Sequence, residues 1–131
     1  LNGRVLFHGI RVKPGMPTML SVVEDIPVLS LSGNPFAVAA LFELLVGGYL
    51  ADRAEEVYIQ KKETKVLRQT FVKTGKPKRI VKGKCDEEGV FLPQIQRNGQ
   101  LKNGIGSNCL VVFPEGERTY PEGEKVQVIR I

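Results

Sequence analysis

A turn of small and polar residues lies between a short apolar run and a long apolar segment, and its residue types suit anion binding. The run Val28–Leu31 has the character of a buried strand, and Pro35–Leu50 has that of a helix. Proline is favoured at a first helical position, and asparagine before it is a good N-cap. Free N–H groups and the positive end of a helix dipole would face this turn, an arrangement that binds phosphate or a similar oxyanion. The predicted site residues are Ser32, Gly33, Asn34 and Pro35; the alternative is a turn that only caps a helix.

Basic residues are concentrated in the second half of the chain, whose formal net charge is +5 as a whole. Residues 61–84 hold ten lysines and arginines and one acid, Glu63. Such a run fits a solvated basic face or a site for a polyanionic small molecule equally well. Nucleic-acid binding is a weaker interpretation, because Phe71 is the only aromatic residue in the run and stacking on bases needs more of them.

Cys85 and Cys109 are the two cysteines, and they form no Cys-x-x-Cys pair. The single histidine, His8, is distant in sequence, so zinc ligands at usable spacing are lacking. Both cysteines lie in strand-like surroundings. We therefore expect buried or half-buried thiols in a reducing cytoplasm rather than a disulfide or a catalytic nucleophile.

The apolar pattern predicts neither a membrane span nor a signal peptide. A span needs roughly 20 apolar residues, and the longest run, Phe36–Val46, is interrupted by Glu43. The N-terminal residues lack an apolar core and a small-residue cleavage site. A composition of 42% hydrophobic and 25% charged residues favours a globular, cytoplasmic protein without membrane contact. The chain begins at Leu1 rather than Met, as expected of a piece of a longer protein.

Residues 1–56 are predicted to fold as three strands followed by a helix. The strands are Arg4–Val12, Thr18–Val23 and Val28–Leu31, and the helix is Pro35–Leu50. The helix is apolar on nearly all sides, so other elements must cover it, and three short strands are too few for that. We infer the end of an α/β domain with helices on both faces of its sheet.

Residues 57–131 are predicted to be all-β, as a small barrel or sandwich of short strands separated by turns. The predicted strands are Val57–Gln60, Val66–Val72, Arg79–Lys84, Gly89–Gln94, Cys109–Phe113 and Lys125–Ile131. The sequence thus predicts two domains, an α/β portion over residues 1–56 and an all-β domain over residues 57–131.

Three motifs resemble the C-terminal part of the MoeA/gephyrin family. Lys13-Pro14-Gly15-Met16-Pro17 is similar to the family's Lys-Pro-Gly-Lys-Pro loop, and Leu31-Ser32-Gly33-Asn34-Pro35 is similar to its Leu-Pro-Gly-Asn-Pro turn before a helix. Residues 107–116 and 122–126 resemble its Asn-x-Leu, Pro-Glu-Gly and Gly-Glu-x-Val ending. The three motifs occur in the family's order, and together they span most of the chain.

This resemblance implies a fold and a reaction. The family inserts molybdate into molybdopterin, using Mg²⁺ and an adenylylated pterin as donor substrate. Residues 1–56 would be the end of a three-layer, MogA-like molybdopterin-binding domain, and residues 57–131 a small β-barrel-like C-terminal domain. The implied partners are molybdopterin or adenylylated molybdopterin, molybdate, and a second copy of the chain, since family members are usually homodimers.

The resemblance also assigns site residues. Lys13, Pro14 and Gly15 would line the pocket for the oxyanion or the pterin phosphate together with the turn formed by residues 32–35. Lys82 matches a basic position at which the family more often has arginine. The family's metal-binding and catalytic carboxylates lie upstream of the matched segment. The resemblance therefore places no catalytic or metal-ligating residue in this chain, which alone would be inactive.

Two departures from the family pattern keep a second hypothesis open. Met16 stands where the family loop has lysine, and Ser32 stands where its turn has proline. A non-catalytic, gephyrin-like scaffold or peptide-binding protein on the same fold would tolerate both changes. Binding of a peptide partner, without an effect of molybdate, is the expected behaviour of such a scaffold.

Overall fold

The computed structural model describes residues 2–55, 57, 59–93 and 106–131. Its first strands are β1 (Gly3–His8), β2 (Val12–Lys13), β3 (Met19–Val23) and β4 (Ile26–Ser30). A helical segment follows as α1 (Pro35–Leu41), a π-helical turn (Phe42–Val46) and α2 (Gly47–Arg53). The later strands are β5 (Lys62–Val66), β6 (Phe71–Lys73), β7 (Lys78–Cys85), β8 (Val90–Phe91), β9 (Cys109–Phe113), β10 (Arg118–Tyr120) and β11 (Lys125–Arg130).

The first sheet has three antiparallel strands in the order β1-β3-β4. Glu24 and Asp25 form the tight turn between β3 and β4, with φ angles of 50° and 65°. Two successive residues with positive φ are the geometry that joins neighbouring strands of a twisted sheet most closely. Both carboxylates are exposed, so the acidic side chains of this turn are solvated.

The predicted strand Arg4–Val12 is wrong as a single element. It ends at His8, and the chain then bends at Gly9, whose φ is 87°. The N–H of Gly9 donates to the carbonyl of Thr18 and the N–H of Ile10 donates to that of Met16, so the loop closes on itself. Only two residues, β2, resume an extended path, and they join a different sheet.

The predicted helix is present and runs to Arg53. Its buried residues are confined to one stripe, Ala37, Ala40 and Leu41, whereas Phe42, Tyr49 and Leu50 are about half exposed. By length and composition alone this segment is long and apolar enough to cross a membrane, which corrects our expectation from apolar runs. A core helix of a soluble protein meets the same criterion. Within the part of the chain that is described, most of the helix surface is uncovered.

The second sheet has the strand order β2-β7-β9-β11-β5, with β8 attached to β7. Strand β2 runs parallel to β7, and the other pairs are antiparallel. A further two-stranded ribbon pairs β10 with β6. The predicted barrel does not close among the described residues, because β2 and β5 stay at opposite edges of the sheet. The described residues form a mixed, sheet-dominated fold with one helical segment.

Several predicted strand limits in the second part are wrong. Residues 57, 59 and 60 are not in a strand, and β5 begins only at Lys62. The predicted strand Val66–Val72 is broken after Val66. The chain turns there and continues into β6, which pairs with β10 in the two-stranded ribbon. Strand β10 was not predicted. Gln94, the predicted end of another strand, lies outside the described residues.

Two apolar clusters lie on the two faces of the second sheet. One contains Leu67, Val81, Val111, Phe113 and Val128, with the Phe71 ring stacked on Phe113 at 4.4 Å between centroids. The other packs helix α1 against the sheet through Ala40, Ile80, Leu110 and Ile129. The last strand is apolar on both sides because it contributes to both clusters.

Contacts cross the predicted division between residues 1–56 and residues 57–131. Strand β2 pairs with β7, and the N–H of Lys78 donates to the carbonyl of Arg11. Ala40 of the helix packs on Ile80 and its neighbours. The division into two domains stays a prediction, and the described contacts join both parts.

Candidate functional site

The turn before the helix is organised by Asn34. Its Oδ1 accepts from the N–H of Phe36 at 3.0 Å and from that of Ala37 at 3.2 Å. Pro35 is the first helical residue and has no N–H. The predicted N-cap and the predicted position of Pro35 are therefore confirmed.

This cap changes what the turn offers to an anion. The first-turn N–H groups of Phe36 and Ala37 already have an acceptor in Asn34, and that of Val38 donates to the Asn34 carbonyl. An oxyanion at this turn would compete with the cap for those donors. The positive end of the helix dipole remains, together with any backbone N–H before Asn34. Roles of Ser32 and Gly33 in binding stay a prediction.

The loop after β2 is anchored on the helix. Gly15 is buried, its φ is 118°, and a Cβ there would lie 2.5 Å from Cδ1 of Leu41. Thr18, fully buried, donates its hydroxyl to the Gly15 carbonyl at 2.7 Å. Lys13 and Pro14 are joined by a cis peptide bond. The loop predicted to line a pocket is thus packed closely against the helix that the capped turn begins.

Lys13 pairs with Arg79 across the parallel ladder of β2 and β7. Register partners on neighbouring strands share one face of the sheet, so two cationic side chains are adjacent there. Among the described residues, neither side chain has an ion pair with a carboxylate. Adjacent like charges repel, and an anion placed between them would relieve that repulsion.

Lys82 is brought to the start of the helix. Its Nζ lies 4.8 Å from the centroid of the Phe36 ring, two residues after Asn34. Val12, one residue before Lys13, packs into the same helix-side cluster as Ile80. Because successive side chains of a strand alternate, Lys13 points away from the face that Val12 and Lys82 share.

The predicted site residues therefore form two groups. Lys82 and the turn of residues 32–35 lie at the helix side of the sheet, where the Phe36 ring links them. Lys13 lies with Arg79 on the other side of the β2–β7 ladder. Sequence reasoning missed Phe36, Leu41 and Arg79 as supporting residues. Arg79 belongs to the basic run, but only the strand register singles it out.

The basic run of residues 61–84 does not form one surface. Lys73 is buried, and its Nζ donates to the carbonyls of Gly75 (2.8 Å) and Gly116, so it fastens two turns. Lys65 pairs with Glu63 at 3.6 Å, and Arg68 pairs with Glu88 at 2.7 Å. These contacts use part of the run to stabilise the fold and leave less of it for a nucleic acid.

Glu63 forms the most extensive ion pair of the second sheet. Its two carboxylate oxygens accept from Nε and Nη2 of Arg130 at 3.1 and 3.3 Å. This bidentate hydrogen bonding holds the pKa of the Glu63 carboxyl below its ordinary value.

Within residues 2–55, 57, 59–93 and 106–131, no group of three His, Cys, Asp or Glu side chains lies close enough to hold a metal ion. The described residues alone therefore provide no such cluster for Mg²⁺.

Comparison with known proteins identifies the family. Residues 66–131 match the model of the MoeA C-terminal region, domain IV. A Methanocaldococcus jannaschii protein whose name assigns it to molybdopterin biosynthesis is 32% identical over 126 residues, which cover 96% of this chain and 30% of that protein. The Bacillus subtilis molybdopterin molybdenumtransferase is 28% identical over 100% of this chain and 32% of its own length. This chain belongs to the MoeA family.

Solved structures agree with the sequence relatives. The molybdopterin biosynthesis MoeA protein of Pyrococcus horikoshii superposes with a TM-score of 0.83 at 26% identity, over 98% of this chain and 33% of its own. A molybdenum cofactor biosynthesis protein of Pyrococcus furiosus gives a TM-score of 0.80 at 28% identity, over 98% of this chain and 46% of its own. The chain thus spans about a third of the length of the curated relatives described above.

Proposed function

We propose that this chain supplies part of the substrate pocket of a molybdopterin molybdenumtransferase, an enzyme that inserts molybdate into adenylylated molybdopterin. The observation that carries the proposal is the pairing of Lys13 with Arg79 beside a loop that Gly15 anchors on the helix. Membership of the MoeA family supports the reaction class. Molybdate and the pterin phosphate are both anions, and an adjacent pair of cations that has no carboxylate partner among the described residues suits either one.

The role proposed for Lys13 is electrostatic. Its ammonium group neutralises charge on molybdate or on the pterin phosphate, and Arg79 adds a second positive charge on the same face. Lys82 and the capped turn lie on the other face of the sheet, where the helix dipole favours negative charge, so their proposed role is separate from that of Lys13. No step is assigned to Mg²⁺ in this chain, because the family resemblance places the metal-binding carboxylates upstream of it.

The uncovered apolar surface supports a further part of the proposal. Ile26 and Val5 in the first sheet are 63% and 56% exposed, and the outer side of the helix is exposed as well. Contiguous apolar surface is rarely left bare in a folded protein. Residues 1–56 are proposed to be the end of a three-layer α/β domain whose other layers cover these faces. A homodimer interface would use whatever apolar surface those layers leave uncovered.

The proposal is tested by measuring binding affinity for molybdate and for molybdopterin. The protein to be used is the one that carries this chain in its source cell. Lys13→Ala is expected to weaken binding about tenfold, because a charge-assisted contact is lost. Lys62→Ala is the matched control, since Lys62 is also an exposed strand lysine but lies at the opposite edge of the sheet. Equal affinity of wild type and Lys13→Ala would refute the assigned role.

A gephyrin-like scaffold is the second candidate, and the exposed apolar edge strands β1 and β4 favour it. An added peptide strand would pair with such an edge through main-chain hydrogen bonds. This candidate predicts that the wild-type protein binds neither molybdate nor molybdopterin. Specific binding of either ligand would exclude a purely scaffolding role.

A further inference from the structure

Cys85 and Cys109 lie side by side in the core of the second sheet. Both are free thiols, 4% and 0% exposed, and their Sγ atoms are 2.8 Å apart. The sequence prediction of buried thiols is therefore confirmed. Their juxtaposition was not predicted, because 23 residues separate them and only the pairing of β7 with β9 brings them together.

A glycine lets the two sulfurs approach each other. In the antiparallel ladder the residue opposite Cys109 is Gly83, and Cys85 is the next residue of β7 on the same face. A Cβ at position 83 would lie 3.0 Å from the Sγ of Cys109 and 2.8 Å from Cγ2 of Val90. Since no side chain occupies that position, the Cys109 sulfur leans across Gly83 toward Cys85.

Asn108 fixes the backbone of the pair. Its Oδ1 accepts from the Cys85 N–H at 2.7 Å, and its Nδ2 donates to the Cys85 carbonyl at 2.8 Å. The Asn108 N–H donates to the Gly83 carbonyl at 3.1 Å. The residue before Cys109 is thus fastened to Cys85 at both main-chain groups. This arrangement holds the two sulfurs at a high effective concentration toward each other.

We propose that Cys85 and Cys109 are a redox-sensitive pair that forms an intramolecular disulfide when a low-molecular-weight disulfide is the oxidant. The Cys85 thiolate attacks one sulfur of the oxidant RSSR, forms a mixed disulfide and releases RS⁻. The Cys109 thiol then gives up its proton, and its sulfur attacks Sγ of Cys85 and displaces the second RS⁻. The two cysteines lose two electrons and two protons, and RSSR is reduced to two RSH.

Several observations assign the first attack to Cys85. Cys85 is the last residue of β7, next to the exposed turn that begins at Asp86, and it is 4% exposed whereas Cys109 is 0% exposed. Arg130 donates to its carbonyl at 3.4 Å and places positive charge near the thiol. Burial raises the pKa of the Cys109 thiol, which favours its protonated form and makes it the poorer first nucleophile.

The test equilibrates the protein, as expressed in its source cell, in glutathione buffers of rising oxidised fraction. Equilibrium is approached both from reduced protein and from protein oxidised during refolding. After acid quenching and alkylation, peptide mapping is expected to find a peptide pair linked through Cys85 and Cys109, lighter by two hydrogen atoms. Both thiols free from both starting points, or separate glutathione adducts on each cysteine, would overturn the proposal.

Two variants separate the steps. Cys109→Ala is expected to stop at one glutathione on Cys85, because the resolving thiol is absent. Asn108→Ala is expected to lower the fraction of the internal disulfide at a fixed glutathione ratio, since the backbone clamp is lost. Unchanged disulfide formation in Asn108→Ala would contradict the positioning role of that residue. The peptide mapping of the wild-type protein needs neither variant. It therefore tests the proposed disulfide even if one of the variants fails to fold.

Discussion

The Nζ atom of Lys82 lies 4.8 Å from the centre of the Phe36 ring, and this contact joins strand β7 to the first turn of the helix. Lysine over an aromatic face is attracted to the ring's negative quadrupole. A double-mutant cycle with Lys82→Met and Phe36→Leu is expected to give a coupling of about 0.5–2 kcal/mol in the free energy of unfolding. Denaturant unfolding of the four proteins measures it.

Lys84 provides the control for that cycle. It lies on the same face of β7, two residues further on, and is exposed. The same cycle with Lys84→Met in place of Lys82→Met is expected to show no coupling to Phe36. A coupling of equal size at both lysines would mean that general electrostatics, and not the ring contact, is responsible.

Replacing Gly15 tests the anchor of the loop. Gly15→Ala is expected to destabilise the fold by about 1–3 kcal/mol, because the φ of 118° is strained for alanine and the new Cβ would meet Leu41. Gly33→Ala is the matched change, since a Cβ there meets nothing within 4 Å. Its unfolding free energy is expected to stay within about 0.5 kcal/mol of wild type. Equal melting temperatures for both variants would refute the anchoring role.

Asn34 permits the capping and binding roles of the turn to be separated. Asn34→Ala is expected to cost about 1 kcal/mol of stability, because two N–H groups lose their acceptor. Asn34→Asp keeps an acceptor and adds negative charge at the helix N-terminus, so stability is expected to be retained. If an anion binds at this turn, the aspartate variant folds normally but binds molybdate more weakly. Calorimetric titration of both variants with molybdate, under conditions in which both are fully folded, distinguishes a cap from a binding site.

The ion pair of Glu63 with Arg130 gives a pH dependence of defined sign. Because the pKa of Glu63 is lowered in the folded state, its contribution to stability is present above the ordinary carboxyl value of 4.5. That contribution is lost as the pH falls through the lower, folded-state pKa. Wild type is therefore expected to be more stable than Glu63→Gln near neutral pH, with the difference vanishing in acid.

Urea unfolding of both proteins between neutral and strongly acidic pH measures this difference. Glu122→Gln is a suitable control, because among the described residues the exposed Glu122 carboxylate has no ion pair. Its difference from wild type is expected to be flat over the same pH range. A difference for Glu63→Gln that grows in acid would reverse the sign and contradict the assignment.

Local chemistry was predictable from the sequence wherever it depends on neighbouring residues. Asn34 and Pro35 define the helix start through one side-chain oxygen and one missing N–H, and both effects act within a single turn. The long strands β7 and β9 were likewise predicted, because their apolar residues alternate or run together over several positions.

Features that depend on distant partners were not predictable. Strand β2 is two residues long and exists only because β7 offers it a parallel partner. Residues 57, 59 and 60 were predicted to belong to a strand, but the structure places none of these three in one. Lys73 can be buried because two turn carbonyls accept hydrogen bonds from its ammonium group. The composition of a basic run cannot reveal these contacts. The sequence predicted both Lys13 and Lys82 as site residues. The strand register shows that their side chains lie on different faces of the second sheet.

The parallel pairing of β2 with β7 also bears on how this protein can be cut for expression. Strand β8 covers one end of the outer edge of β7, and β2 covers the other. A chain beginning at residue 57, the limit that the sequence pattern indicates, would lack β2 and would leave the outer edge of β7 unpaired at Lys78 and Arg79. Open strand edges recruit strands from other molecules and promote aggregation. Chains that retain both β1 and β2 keep the edges of β3 and β7 paired and are the better starting point for soluble preparations.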